Sequence, residues 1–209
     1  MRRRRQDAMI EAGERMRAFF CLPIERNVVS AVDRIARQLR DAADMRASWV
    51  RTENYHVTLR FLGEIDPLLT VDLKRIARKV TRALAPFELP LERLGCFPSV
   101  ESARVLWIGS DASPAFCGLA ASLHHELSRL GFPPERNQTV AHVTLARIKG
   151  KPPPGLARVL DRCDVPTDLA AHAERLTLME SVLTPSGAVY TPLFSTPFGG
   201  RPPDGDRVP

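Results

Sequence analysis

Apolar residues recur along the chain with two different periods. Three stretches place them every three to four residues, which is the spacing of one face of a helix. These helices are predicted around 28–39, 69–84 and 116–130, with a fourth, short helix at 156–161 after a run of prolines. Shorter stretches with strand-like patterns lie between them, at 17–22, 54–62, 87–95, 103–109, 139–147, 174–183 and 188–194. Helices and strands therefore alternate along the chain.

Two pairs of predicted strands follow one another with no helix between them. The strand at 103–109 follows the one at 87–95, and 188–194 follows 174–183 across a Pro-Ser-Gly turn. Strands joined in this way are typically antiparallel neighbours, whereas parallel strands need a long crossover. The pattern predicts an α+β fold. The sequence contains no glycine-rich dinucleotide motif and no ATP-binding loop motif.

The two ends of the chain differ from the rest in composition. Residues 1–15 are polar and charged and include four consecutive arginines, and residues 199–209 are rich in glycine and proline. We predict that both segments are disordered tails around one domain at 16–198. Of the 209 residues, 44% are hydrophobic and 26% are charged, which is typical of a soluble globular protein and excludes a chain disordered throughout.

Several functional classes are disfavoured by composition. No apolar run approaches the roughly 18–20 residues that cross a bilayer, and the apolar stretch at 18–24 is too short for a signal peptide. We therefore expect a cytoplasmic protein with no membrane partner. The four cysteines include no Cys-x-x-Cys pair, which favours reduced thiols and predicts no metal site.

The chain is basic, with a net charge of +6. The arginine run from Arg2 to Arg5 supplies four of these charges, and such a run is usually a solvated tail. A basic tail attracts polyanions by counterion release, without reading sequence. The charge is compatible with RNA binding and does not by itself establish it.

One tetrapeptide occurs twice. The sequence His-Val-Thr-Leu at 56–59 recurs at 142–145, 86 residues later, in a chain that has only five histidines. Each copy begins a strand-like segment that ends in a basic residue. A repeat at this spacing indicates a duplicated unit.

Strand geometry predicts what the first copy presents. Successive side chains of a strand point to opposite faces, so His56 and Thr58 share one face, about 6.6 Å apart along the strand. The residues Val57, Leu59 and Phe61 are expected on the other face. That face would form an apolar wall behind the histidine and the threonine.

The second copy has the same arrangement at His142 and Thr144. If the two units pack about a pseudo-two-fold axis, two imidazoles and two hydroxyls face each other across one cleft. With an unperturbed pKa near 6.5, one histidine can accept a proton from an attacking oxygen while the other donates a proton to a leaving oxygen. The hydroxyls can hydrogen-bond phosphate oxygens without a metal. The pair therefore indicates phosphoryl chemistry.

Structural roles are the alternative for each of these residues taken singly. One histidine on a strand is more often hydrogen-bonded to a neighbour than catalytic, and threonine is a good strand former. Duplication at matching positions favours catalysis for this pair. We assign the other histidines, His124, His125 and His172, to the surface or to structural roles.

Five blocks of sequence resemble a known group. They lie at 17–20, 53–65, 104–109, 141–147 and 183–193. In this order they resemble the 2H phosphoesterases, which carry two His-x-Thr-x motifs. Within that superfamily the chain resembles the bacterial and archaeal RNA 2′,3′-cyclic phosphodiesterases, also called 2′–5′ RNA ligases.

The resemblance implies a bilobal, duplicated fold with a pseudo-two-fold axis, in which two antiparallel sheets flank a central cleft and helices lie outside. It implies hydrolysis of RNA or nucleoside 2′,3′-cyclic phosphates to 2′-phosphates, with no metal or cofactor. His56 is then the proton donor and His142 the acceptor, and Thr58 and Thr144 contact the phosphate. The reverse reaction would join RNA ends through a 2′–5′ bond.

Two further residues are candidates for substrate binding. Many members of the family have a basic and an aromatic residue before the second motif, which they enter through Pro-His. This chain has Ala141 in place of that proline and no aromatic residue there. Arg136 is a candidate for the positive charge from a shifted position, and a role in solubility is the alternative. Tyr190, in the last of the five blocks, is the other candidate.

Two other functions stay open at this point. One is an enzyme of the same fold that acts on a small cyclic nucleotide such as ADP-ribose 1″,2″-cyclic phosphate. The other is a non-catalytic module that binds RNA ends. For the leading hypothesis we expect a monomer whose partner is RNA with a 2′,3′-cyclic phosphate end, tRNA fragments included, or a nucleoside cyclic phosphate.

Overall fold

The computed structural model describes residues 15–134, 140–185 and 187–200. The described residues form ten strands and four α-helices. The helices are α1 (Arg26–Ala42), α2 (Thr70–Thr81), α3 (Pro114–Ser128) and α4 (Leu156–Arg162). The strands are β1 (Met16–Pro23), β2 (Ala47–Trp49), β3 (His56–Ile65), β4 (Phe87–Pro90), β5 (Arg93–Phe97), β6 (Val105–Asp111), β7 (Val140–Ile148), β8 (Ala170–Ala173), β9 (Arg175–Thr184) and β10 (Gly187–Pro197).

Eight strands form one antiparallel sheet, and β4 and β8 pair separately. The order in the large sheet is β10-β9-β1-β3-β7-β6-β5, with β2 beside β7. Within the described ranges, β3 and β7 share one residue pair, Val57 and Val143. We call β10-β9-β1-β3 the first wing and β2-β7-β6-β5 the second wing. The predicted α+β class is confirmed, and the two expected sheets are the two wings of this sheet.

The wings repeat one another. In the first wing β1 leads through α1 to β3, and in the second β6 leads through α3 to β7. Pro23 pairs with His56, and 86 residues later Gly109 pairs with His142. The pair that joins the wings is related by the same offset. The pseudo-two-fold axis of the duplication therefore passes between β3 and β7, beside both motifs.

The helices α1 and α3 cover the apolar side of the motif strands. Ser113 begins α3 by accepting a hydrogen bond from the Phe116 amide, and Pro114 occupies the first turn, where its missing N–H costs nothing. Both helices bury one apolar face in the core that also contains the apolar residues of the motifs. Those core residues are Val28, Val32, Ile35, Ala36, Leu39, Phe116, Leu119, Ala120, Leu123, Leu127, Val57, Leu59, Val143 and Leu145.

The predicted tails fall largely outside the described residues, which begin at Arg15 and end at Gly200. Gly199 and Gly200, assigned above to the carboxyl-terminal tail, donate backbone hydrogen bonds to the carbonyls of Thr81 and Leu84, both at 2.9 Å. The chain is thus attached to the end of α2 as far as Gly200. In the described part of the chain, no helix is both long enough and apolar enough to span a membrane. All four cysteines are free thiols.

Candidate active site

Both copies of the tetrapeptide line one cavity where the wings meet. Its volume is about 180 Å³. The lining residues are Val50, Asn54, His56, Thr58, Phe61, Phe97, Val105, His142, Thr144, Arg147 and Tyr190. The cavity thus brings together five of the six predicted site residues. The sixth, Arg136, lies outside the described residues.

The strand register places the two motifs in a crossed arrangement. Val57 lies opposite Val143 in an antiparallel pair. Continuing that register puts His56 across from Thr144 and Thr58 across from His142. Each histidine of one wing therefore lies at the register position opposite the threonine of the other wing.

His56 is held in one tautomer by its own chain. It begins β3 one residue after the end of the 3₁₀ turn Thr52–Asn54, and its Nδ1 donates to the Asn54 carbonyl oxygen at 2.7 Å. A carbonyl can only accept, so Nδ1 carries the hydrogen. In the neutral imidazole Nε2 is then an acceptor, 3.0 Å from the Thr58 hydroxyl.

Asn54 also connects His56 to the distant hairpin of β9 and β10. Its side-chain amide, which is buried, donates to the Ala188 carbonyl at 2.8 Å. Two residues further along β10, the Tyr190 ring meets His56 edge-on with ring centroids 5.4 Å apart, and meets Phe19 at 4.9 Å. One residue therefore positions both the imidazole and the tyrosine. No feature of the sequence predicts this role of Asn54.

His142 is held differently. Its Nδ1 lies 3.4 Å from the Val140 carbonyl oxygen, which is long for an N–H···O hydrogen bond. Val140 occupies the position of Asn54 in the repeat and has no side-chain donor. The His142 ring packs edge-on against Phe97 at 5.0 Å and lies 6.0 Å from Trp107. Ring packing thus holds His142 in place, whereas hydrogen bonds to Asn54 and from its side chain fix the surroundings of His56.

Burial shifts the titration of both histidines. It lowers the pKa of His56 to about 4, against the opposing effect of the Asn54 carbonyl, and the charges of His142 and Arg147 lower it further. Burial likewise lowers the pKa of His142, with a smaller contribution from Arg147 and an opposing one from the Val140 carbonyl. Both imidazoles are therefore neutral at neutral pH in the free protein. A bound anion favours their charged forms.

The predicted alternation along β3 fails after Thr58. Successive residues of β1 pair with Arg60 and Thr58, so Leu59 is an extra residue in the ladder. Such a β-bulge reverses which face the following side chains take. Phe61, predicted on the apolar face, is instead 54% exposed and lines the cavity. Arg60 is 4% exposed and donates to the Pro133 carbonyl oxygen.

The second motif strand has the same bulge. Successive residues of β6 pair with Ala146 and Thr144, so Leu145 is the extra residue. Arg147 consequently lines the cavity. Arg147 was not among the site residues predicted from the sequence. The signal that points to it is its spacing, five residues after the histidine, which Phe61 shares in the first motif.

The described residues of the cavity lining supply two imidazoles, two threonine hydroxyls, an amide, a phenol and a guanidinium, and none of them is a carboxylate. This set of groups can bind an anion and transfer protons to and from it. Among the described residues, no group of three or more His, Cys, Asp or Glu side chains is arranged to hold a metal ion. A second cavity, of about 380 Å³ between α1 and α4, contains none of the motif residues.

Comparison with known proteins gives the class of this chain, a phosphoesterase. The sequence model described as LigT-like phosphoesterase matches residues 22–107 and again 110–190. Each match contains one copy of the tetrapeptide. The chain belongs to the LigT-like phosphoesterase family.

Relatives and solved structures agree with that assignment. The RNA 2′,3′-cyclic phosphodiesterase of Methanothermobacter thermautotrophicus is 31% identical over 178 residues, which are 85% of this chain and 96% of the relative. The enzyme of the same name from Archaeoglobus fulgidus is 30% identical, with 85% and 98% covered. A crystal structure from Thermus thermophilus superposes with a TM-score of 0.75 at 27% identity, covering 88% and 99%. E. coli LigT complexed with 3′-AMP gives 0.67 at 25% identity, covering 88% and 99%.

Proposed function

We propose that this protein hydrolyses 2′,3′-cyclic phosphates of RNA ends or nucleosides to 2′-phosphates, by acid–base catalysis from His56 and His142. One observation carries the proposal: the two histidines come from opposite wings and line a single cavity, each with a threonine two residues further on. The names of the relatives support the substrate class, since several are RNA 2′,3′-cyclic phosphodiesterases.

The proposed reaction is an in-line displacement at phosphorus. Neutral His142 accepts a proton from a water molecule, whose oxygen forms a new bond to phosphorus. The bond between phosphorus and O3′ breaks, and charged His56 donates its proton to O3′. The products are a 2′-phosphate and a free 3′-hydroxyl. Each proton transfer contributes about 10²–10⁴-fold in rate.

The local geometry supports His56 as the donor. Its Nδ1 is 2.7 Å from a carbonyl oxygen, whereas the corresponding distance for His142 is 3.4 Å. A closer carbonyl stabilises the charged imidazolium more strongly. Burial opposes that charge in the free protein, and the phosphate of a bound substrate offsets the effect of burial. His56 is thus expected to take up its proton together with the substrate.

Protonation of His56 also changes what Thr58 can do. In the neutral state the Thr58 hydroxyl donates to Nε2 of His56. Once Nε2 carries a proton it becomes a donor itself, and the hydroxyl hydrogen is free to bond a phosphate oxygen. Thr144 is the matching hydroxyl from the other wing. Arg147 supplies the fixed positive charge for which Arg136 was the candidate predicted from the sequence.

Aromatic side chains support a nucleotide as the ligand. Phe61 stands 54% exposed at the cavity, and its ring lies 5.7 Å from Phe19. Stacking of a base on an exposed ring contributes about 1–3 kcal/mol and tolerates any base. Tyr190, also in the lining, is the other aromatic contact we assign to the substrate.

The test is a single assay with two isomers. Purified protein is incubated with 2′,3′-cyclic AMP and, separately, with 3′,5′-cyclic AMP, with and without EDTA, and the position of the product phosphate is read by ³¹P NMR. We expect turnover of the 2′,3′ isomer alone, to 2′-AMP, unaffected by EDTA. A 3′-phosphate product, or hydrolysis of the 3′,5′ isomer at a similar rate, would contradict the proposal.

The same assay separates the other functions. Faster turnover of ADP-ribose 1″,2″-cyclic phosphate than of a short RNA end would favour the small-nucleotide enzyme. Binding of a cyclic phosphate end without any product would favour the non-catalytic module. Ligation is tested by incubating an RNA that ends in a 2′,3′-cyclic phosphate with a 5′-hydroxyl RNA and probing the joined product for a 2′–5′ bond.

We also propose that the protein acts as a monomer in the cytoplasm. Both wings of the cavity belong to one chain, so no second copy is needed to complete the site. Light scattering of the purified protein across a range of concentrations checks the monomer. Fractionation of the source cells checks the location.

A further inference from the structure

Exposed cations continue from the cavity along the second wing. Arg147 of β7 pairs with Ser48 of β2. Beyond the end of both strands, the Lys149 amide donates to the Arg46 carbonyl at 2.7 Å, so the same ladder continues and Arg46 lies opposite Lys149. We call Arg46, Arg147 and Lys149 the basic row.

The three side chains of the basic row share the face that contains the cavity. Arg147 lines the cavity, and alternation along the extended chain puts Lys149 on the same face, about 6.6 Å further on. Arg46 takes that face because it lies opposite Lys149. The other face of β2 is marked by Trp49, whose ring lies under Arg40 of α1 at 4.9 Å.

The charges of the basic row are not neutralised locally. All three side chains are exposed. Among the described residues, none of them forms an ion pair with a carboxylate. Exposed cations without local counterions hold solution anions, which they release when a phosphate backbone binds.

The first wing has no such row. The positions that correspond to Arg147 and Lys149 are Phe61 and Gly63. The next residue of β3 is Glu64, which is exposed and lies opposite the exposed Arg17 of β1, so the two charges offset each other. Each wing forms one rim of the cavity. The two rims therefore differ in charge, although the wings repeat one another in backbone structure.

We propose that the basic row is a track for the phosphate backbone of an RNA strand whose cyclic phosphate end occupies the cavity. The inference rests on the proposed function and names its substrate class, an oligonucleotide rather than a mononucleotide. A strand bound by its end leaves the cavity in one direction. The rim with three cations attracts its backbone, whereas the charges of Arg17 and Glu64 offset each other on the other rim.

The test compares two substrates of the full-length protein at several salt concentrations. They are 2′,3′-cyclic AMP and a hexa-adenylate that ends in a 2′,3′-cyclic phosphate. For the wild type we expect a lower KM for the hexamer, and a steeper fall of its kcat/KM with salt, about 0.7 in the log–log slope for each phosphate neutralised on a single strand. Equal KM values at low salt would overturn the inference.

The variant is Arg46→Glu with Lys149→Glu, and its matched control is Arg158→Glu with Arg162→Glu, which makes the same charge change on α4. We expect the first pair to raise the ratio of hexamer to mononucleotide KM by on the order of tenfold and to flatten the salt slope. The control pair should leave both values unchanged. A similar effect of both pairs, or an equal rise of KM for both substrates, would count against the track.

The experiment distinguishes failure of the track from failure of the proposed phosphodiesterase activity. If wild-type protein opens neither substrate, the phosphodiesterase proposal fails and the track fails with it. If 2′,3′-cyclic AMP is hydrolysed to 2′-AMP and the hexamer shows neither a lower KM nor a steeper salt dependence, the phosphodiesterase proposal is retained and only the track is wrong. The wild-type salt slopes decide this even if a variant does not fold.

Discussion

Phe61 and Arg147 occupy the same position in the two wings, five residues after the histidine of each motif, and both line the cavity. Each follows a β-bulge, at Leu59 and at Leu145, which turns the fifth residue toward the histidine side. The duplication thus gives the two halves one backbone geometry and two different chemistries. One wing contributes an aromatic ring to the cavity and the other contributes a cation. The two sides of the cavity therefore differ chemically.

Replacing the cation is expected to weaken substrate binding and turnover. Arg147→Ala would remove the hydrogen bond that we expect between this guanidinium and the substrate phosphate. A hydrogen bond to a charged group contributes about 1.5–3 kcal/mol. We expect kcat/KM for 2′,3′-cyclic AMP to fall roughly 10- to 150-fold, with partial recovery in Arg147→Lys. Arg78→Ala, an exposed arginine of α2, is the control and should match wild type. Wild-type kinetics in Arg147→Ala would remove this residue from the site.

Replacing either histidine tests the proton transfers directly. His56→Ala and His142→Ala are each expected to lower kcat at least about 100-fold, because each removes one proton transfer. The double variant should be little worse than the single ones, since the two residues act as a unit. His125→Ala, on the exposed side of α3, serves as the control. If either single active-site variant kept full activity, the two-histidine mechanism would be wrong.

The four motif residues follow from the sequence because their signal is local and repeated. Period two puts His56 and Thr58 on one face, and duplication supplies His142 and Thr144. The bulge is the step that the pattern misses, since one extra residue in the ladder leaves no mark in the hydrophobic spacing. Strict alternation therefore placed Phe61 on the wrong face.

Contacts between residues far apart in the chain also could not be predicted from the sequence. Asn54 and Ala188 are 134 residues apart, and their hydrogen bond depends on the path of the hairpin across the first wing. β2 has three residues, too few for a strand pattern, and it carries half of the ladder on which the basic row lies. The class of fold needed neither feature, because alternating helices and adjacent strands already predicted it.

The pH dependence of activity follows from the lowered pKa values of the two histidines. The reaction needs one imidazole charged and the other neutral, so kcat/KM should follow a bell-shaped curve set by the free enzyme. Both pKa values lie below 6.5, that of His56 at about 4. The maximum of kcat/KM is therefore expected below pH 6.5, and the maximum of kcat at higher pH because bound phosphate raises both values. A kcat/KM that rises from pH 7 to pH 9 would contradict this.

Two glycines provide a matched test of the backbone at His142. A Cβ on Gly109 would lie 2.1 Å from the Ala141 carbonyl oxygen and 2.8 Å from the His142 Cα, so β6 would have to move away from β7. We expect Gly109→Ala to lower the free energy of unfolding by about 1–3 kcal/mol and to reduce activity. Gly118, in α3, has open space around its Cα, and Gly118→Ala should add up to about 1 kcal/mol. Urea denaturation measures both, and equal effects would refute the packing argument.

Asn54 is expected to act through the hairpin that carries Tyr190. Asn54→Ala keeps the carbonyl that binds His56 and removes the amide that holds Ala188, so the hairpin loses its anchor at the site. We expect kcat/KM to fall by roughly fivefold or more, equivalent to about 1 kcal/mol for one hydrogen bond. The double variant with Tyr190→Ala should lose less than the two single losses combined, because both changes disturb one contact. If the losses of the two single variants add fully in the double variant, Asn54 does not act through Tyr190. In Asn54→Ala, an acid limb of the kcat/KM pH profile that matches wild type would show that the His56 tautomer is unchanged.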